Sequence, residues 1–187
     1  LPPSTEHDVL AHGASLVHKG VVDSLAFIEH PTPASSALGS EHWKTLCAGY
    51  DLKDSQVVTV PYVYPQGHIN TLHEAESFAA FVKDRSIRDV AVIAEPFHHV
   101  RATLTLLSAL KRRGVKPSDV TIGTLPAPID GEQGWHKYVS HSQGVVHGTK
   151  LQLLDGEMDR LQRYTDKGDL IPASEALAYF EPSSLES

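Results

Sequence analysis

Cysteine is almost absent: Cys47 stands alone in a chain of 187 residues. A single thiol excludes an intramolecular disulfide framework and any zinc site needing two or more thiolates, and it fits a reducing, cytoplasmic compartment. Long apolar runs are missing as well. No stretch nears the roughly 18 to 20 consecutive apolar residues of a membrane span, and residues 1–8 carry neither the basic start nor the apolar middle of a secretion signal. The chain opens on Leu1 rather than methionine, so a trimmed or omitted upstream segment is expected. Basic clusters are short, none longer than Lys111-Arg112-Arg113, and 16 Lys and Arg face 23 Asp and Glu for a formal charge of −7. Such a balance argues against a nucleic-acid partner.

What is present suits one ordinary domain. A hydrophobic content of 41% supplies a core, and a chain of this size buries about 70% of its extended surface without disulfides or structural metal. Histidine is abundant: protonating all 12 adds twelve charges to −7 and gives +5, so acid sensitivity is expected.

Periodicity divides the chain into alternating helices and strands. A helix is predicted over residues 5–19, closed by Gly20, then a strand over 21–29 that stops at His30-Pro31-Thr32-Pro33. A weaker helix over 35–49 precedes a strand over 56–64. Residues 70–86 form the best helix, with Leu72, Ala75, Phe78, Ala79 and Val82 on one face. The apolar run 89–94 reads as a doubly buried strand, followed by a helix over 97–113 with Phe97, Val100, Leu104, Leu107 and Leu110 inward. A strand over 119–124, a loop over 127–134, a helix over 145–164 carrying Leu151, Leu154, Met158 and Leu161, and a short helix from Pro172 complete the chain. This order predicts an α/β fold, a three-layer Rossmann-like parallel sheet with helices on both faces, spanning 1–168, with a C-terminal helix and tail over 169–187.

Ligands of open parallel sheets bind beyond the carboxyl ends of the strands. The segments to inspect are therefore Glu29-His30, 62–71, 95–101 and 124–135. In the third, His98 and Arg101 lie three apart in the first turn of a helix, where free N–H groups favour an anion. The same residues also allow a plainer arrangement, with His98 packed locally and Arg101 paired to Glu74 or Glu95. Glu95 itself repels a phosphate and suits a hydroxyl, an amine or a metal. In the second segment, Thr71-x-x-Glu74 has the spacing of a capping box, which leaves Asn70 free to present its amide to a ligand.

Taken together, Asn70-Thr71-x-x-Glu74-Ala75, a helix, an apolar strand and Phe97-His98-x-x-Arg101-Ala102 resemble the YdcF, SanA and ElyC family, a domain of unknown function with a Rossmann-like fold. The likeness runs over about residues 8–164. Members are linked to bacterial envelope integrity and vancomycin sensitivity, and YdcF to binding S-adenosylmethionine. The resemblance implies a small-molecule site built from Asn70, Thr71, Glu74, His98 and Arg101, with no reaction settled. Residues 1–7 supply neither the family's opening strand and Gly-rich turn nor the arginine that follows. The family commonly has Ser or Thr at the position of Glu95, and the membrane anchor of SanA and ElyC is missing.

Other constellations carry less. His98-His99 are adjacent and His136, His141 and His147 are five and six apart, spacings poorly suited to two ligands on one helical face; a long-range metal site from His30, Glu95 and His98 stays open. No Gly-x-Ser-x-Gly elbow exists. Cys47 reads as a buried inert thiol, Trp135 as either a ligand cover or a core residue, and Glu157 with Arg160 as a solvated pair. The leading expectation is a protein that binds a small molecule, S-adenosylmethionine or another nucleotide-like or phosphorylated compound. Should it catalyse a reaction, Glu95 or His98 is the acid or base and Arg101 the charge stabiliser. A metal-dependent hydrolase and a non-catalytic interaction module, with partner contacts on an exposed 169–187 segment, are the alternatives.

Overall fold

A computed structural model describes residues 5–29, 40–64, 70–141 and 146–180, the side chains of Glu6, Ser40 and His141 excepted. The elements in chain order are α1 (Thr5–His18), β1 (Leu25–Glu29), α2 (Ser40–Gly49), a single 3-10 turn (Asp54–Gln56), β2 (Val57–Pro61), α3 (Thr71–Arg85), β3 (Asp89–Val92), α4 (Pro96–Arg112), β4 (Thr121–Thr124), α5 (Gly131–Trp135), β5 (Tyr138–His141), β6 (Val146–Thr149), α6 (Lys150–Asp166) and α7 (Ala173–Leu177).

The fold is mixed α/β. Among the described residues its ladders are three two-stranded pairs: β1 with β2 and β3 with β4, both parallel, and β5 with β6, antiparallel. Val60 lies opposite Ile28, and Ile122 opposite Val90. Side chains alternate across β3, and the two sides meet different cores. Val90 and Val92 pack with Ala79 and Val82 of α3, Leu107 and Leu110 of α4, and Ile122 of β4. One residue past the strand, Ile93 joins Leu10, Ala14 and Val17 of α1, Leu25 of β1 and Cys47 of α2. Val92 and Ile93 thus meet helices on opposite sides of the chain, while β3 itself is exposed at Asp89 and only partly buried over the rest of its length. Gly13 lets α1 settle close on β1, since a Cβ there would lie 3.1 Å from the Leu25 methyls.

Helix ends follow one rule. After α1, α2, α3, α4 and α6 the chain turns through a left-handed residue, with its N–H and the next one closing back on the last turn. At Gly114 that conformation costs nothing sterically, whereas Ser86 and Asp51 adopt it with a Cβ.

Three expectations are corrected. Residues 145–164 do not form one helix: 146–149 are a strand, and α6 begins only after Thr149, whose hydroxyl accepts from Gln152 N–H while the Gln152 side chain accepts from Thr149 N–H. That Thr-x-x-Gln box was legible in the sequence. Second, Val100, expected inward on α4, is exposed, and of the apolar residues carried by α6, Leu151 and Met158 are exposed too. The residues α6 buries are Lys150, Leu153 and Glu157. Third, the described part of the C-terminal segment, residues 169–180, is anchored to the body of the protein. Ile171, Ala176 and Tyr179 belong to the main core, and the Tyr179 hydroxyl donates to Val115 O at 2.8 Å. We expect Tyr179→Ala to cost about 3–5 kcal/mol and Tyr179→Phe about 1 kcal/mol in urea denaturation. Near-neutral effects for both would mean that this segment does not share the core.

Candidate functional site

Helix α3 follows β2 and α4 follows β3, each a strand of a parallel pair, and a side-chain contact between Thr71 and Arg101 brings the first turns of the two helices together. Asn70 caps α3, its side-chain oxygen accepting from His73 N–H at 2.9 Å. The cap therefore falls one residue before the expected Thr71-x-x-Glu74 box. This frees the Thr71 hydroxyl, which accepts from Arg101 Nη1 at 3.2 Å. Arg101 stands one turn into α4 beside His98, so a single guanidinium joins two motifs 30 residues apart.

The centre of the cluster is a residue taken above for a solvated one. Glu157 of α6 is 1% exposed. Arg101 grips it with two donors, Nε to Oε2 and Nη2 to Oε1, the latter at 3.2 Å. His98 Nδ1 lies 3.0 Å from Oε2, and Arg160 Nη1 donates to Oε1 at 2.5 Å. Arg101 Nη2 also lies 3.1 Å from His98 Nδ1, so that nitrogen donates to the carboxylate when it carries the proton and accepts from the guanidinium when it does not. Burial by itself would raise the Glu157 carboxyl; hydrogen bonds from His98 and Arg101, and then their charges, outweigh it and hold the group well below the ordinary carboxylate range. Two guanidinium groups share one carboxylate, so positive charge exceeds negative within the cluster.

Glu95 takes a different partner. It stands at the strand end as the N-cap of α4, fully buried, with Oε2 2.8 Å from the ammonium of buried Lys150. Lys150 continues to Asp8 at 3.6 Å, and Lys137 lies 3.5 Å from the same carboxylate. Burial pushes the Glu95 carboxyl above its usual range, and Lys150 pulls in the opposite direction. Thus His98, Arg101 and Thr71 converge, while Glu95 belongs to a neighbouring ion-pair network.

A third group lines the exit of β2. Tyr64 stacks on His73, centroids 4.2 Å apart, and the Tyr62 hydroxyl lies 3.3 Å from His73 Nδ1. Glu74 is half-buried, and its N–H bonds Asn70 O at 3.1 Å. His30 and His68 lie outside the described residues. Among the described residues, no group of three or more His, Cys, Asp or Glu is placed to hold a metal, and no helix is long and apolar enough to cross a membrane. His136 and His147 are exposed. Cys47 is buried and its thiol is pushed up by burial, and Trp135 packs with Phe97, Val139 and Leu153 as a core residue.

Sequence reading missed Glu157 because its i, i+3 partner Arg160 offered a sufficient local explanation. It missed Tyr62, Tyr64 and His73 because nothing in their spacing announces stacking. No family model, curated protein or solved structure matches the chain.

Glu157→Ala leaves Arg101 facing an empty place, and a loss of about 3–5 kcal/mol is expected in urea denaturation. Its carboxyl is lowered on folding, so its contribution is complete above the ordinary value of 4.5 and drains away as pH falls below it. Wild-type stability should therefore decline more steeply below pH 4.5 than that of Glu157→Gln. Parallel curves would mean that the carboxylate is not ionised inside the cluster.

Proposed function

We propose that this chain is a Rossmann-like α/β protein of the YdcF, SanA and ElyC type, with one three-layer parallel sheet, that binds a small polar ligand beyond the carboxyl ends of its strands. S-adenosylmethionine and other nucleotide-like or phosphorylated compounds are the ligand classes. The observation that carries the reading is Arg101, whose guanidinium ties Thr71 at the start of α3 to His98 and Glu157 at the start of α4 and the middle of α6. The two motifs of the family resemblance meet there, on the side where parallel sheets hold their ligands.

Electrostatics favours an anionic group. Glu157 neutralises only one of its two arginine partners, and Arg160 remains partly open to solvent. The stacked Tyr64 and His73 pair adds an aromatic surface of the kind on which a flat ring lies. Should the bound compound react, His98 and Glu95 are the groups able to exchange a proton with it, and Arg101 the one to stabilise developing negative charge.

Arg101→Ala is a poor test because it also strands the buried Glu157. Arg101→Lys keeps the charge but loses the fork, and Thr71→Val removes one contact while leaving the ion pair. Thermal unfolding against S-adenosylmethionine, S-adenosylhomocysteine, nucleotides and sugar phosphates, with and without divalent metal, reads the outcome. A ligand at 100 times its Kd adds about 2.7 kcal/mol, a midpoint rise of several degrees, and the rise should shrink in both variants. No rise with any compound would overturn the reading, and a rise that requires metal would favour a metal-dependent hydrolase.

A further inference from the structure

Four consecutive elements, α5, β5, β6 and α6, leave the body of the protein together and return to it together. The chain is tied to the body on either side of them: Ala127 N–H donates to Ala94 O at 2.9 Å, and Ile171 N–H to Ser108 Oγ at 2.9 Å. Inside these ties stand two glycines in the left-handed region, Gly131 at φ +58° and Gly168 at φ +75°, with open space where a Cβ would lie. The four elements are also knit to one another. Among the described residues β5 pairs only with β6, Lys150 N–H donates to Lys137 O at 3.2 Å, and Trp135, Val139, Val146, Leu153 and Leu154 share one apolar cluster. That cluster takes a single residue, Phe97 of α4, from outside the four elements.

Charge crosses the same boundary in two places. Lys150, Leu153 and Glu157 form the buried face of α6, the two charged residues lying two turns apart. Lys150 meets Glu95 at 2.8 Å and Asp8 of α1 at 3.6 Å, and Lys137 lies 3.5 Å from the same Asp8. Glu157 meets Arg101 and, at 3.0 Å, His98, with Arg160 joining it from its own helix. A buried pair holds only while both members are ionised, because neutralising one leaves the other as an uncompensated buried charge.

We propose that α5, β5, β6 and α6 form a cover hinged at Gly131 and Gly168, latched over His98 and Arg101 by the Glu95–Lys150 and Arg101–Glu157 pairs, and opening as a unit while the body stays folded. Opening withdraws Glu157 and Arg160 from His98 and Arg101, so the cover controls access to those groups. The inference does not rest on the ligand-binding reading, and its test uses no ligand. Acid releases the latch. Burial alone would raise the Glu157 carboxyl, but hydrogen bonds from His98 and Arg101, and then their charges, keep it from taking a proton in the closed form; in the open form it takes one at the ordinary 4.5. Below pH 4.5 the ratio of closed to open therefore falls about tenfold per pH unit. Glu95 acts with the opposite sign in another window: burial raises its carboxyl against the pull of Lys150, so its proton favours the closed form above pH 4.5 and changes nothing below, where both forms hold it.

The two tryptophans report the two parts separately. Trp135 lies in the cover's own cluster, and Trp43 stacks on Phe27 at 5.0 Å in the core around Cys47. Trp43→Phe and Trp135→Phe each leave one reporter for acid titration, and the Trp135 transition should come about one pH unit above that of Trp43. Hydrogen exchange on the unaltered chain needs no substitution: β5, β6 and α6 should exchange together, about a hundredfold less protected than the buried turns of α3 and α4. Tyr179→Phe weakens only the body, so it should lower protection of α3 and α4 about fivefold and leave the cover's unchanged. Glu157→Gln weakens the latch and should lower protection of both. Coincident acid transitions with equal protection throughout would make the chain one cooperative unit and overturn the cover. Full protection of α6 in Glu157→Gln would overturn it as well, since the pair would then not be a latch.

Discussion

Everything near the start of α4 is organised by one buried carboxylate. Glu157 enters a space from which water is excluded, where an isolated charge is prohibitively costly, and it stays ionised only because Arg101, His98 and Arg160 surround it. That requirement determines how α6 docks. Its apolar stripe has the spacing of a core-facing helix, yet Leu151 and Met158 are exposed while Lys150 and Glu157 are buried. The buried face of α6 carries Leu153 together with Lys150 and Glu157, whose partners Glu95 and Arg101 both stand on or at the start of α4.

The two buried ion pairs differ in what they leave over. Around Glu157 the positive groups outnumber the negative one, and the carboxylate is held firmly in its charged form. Around Glu95 the charges balance, but burial dominates and the carboxyl is pushed upward. The two pairs together tie α6 to the first turns of α4.

Much of the fold could be read from spacing. The strand over 89–94 was recognisable because an uninterrupted apolar run must be covered on both sides, and Val92 and Ile93 do meet different cores. Gly20 was placed correctly as a helix terminator because only a left-handed residue closes that turn without a clash. The hairpin of β5 and β6 escaped because strands of four residues are too short for alternation to outweigh the helical pattern that follows. For the site, His98 and Arg101 were identifiable from their place in the first turn of a helix. Glu157 was not, since its meaning depends on a helix that packs across from it.

The amino-acid sequence by itself determined the alternation of helices and strands, the helix ends and the motif residues Asn70, Thr71, His98 and Arg101, because these depend on neighbours within a turn or two of chain. Tertiary structure decided which charges are buried together. Arg101 meets Thr71 from 30 residues away and Glu157 from 56, and whether such a group binds a ligand, holds a helix or does both is settled by which groups share its desolvated space.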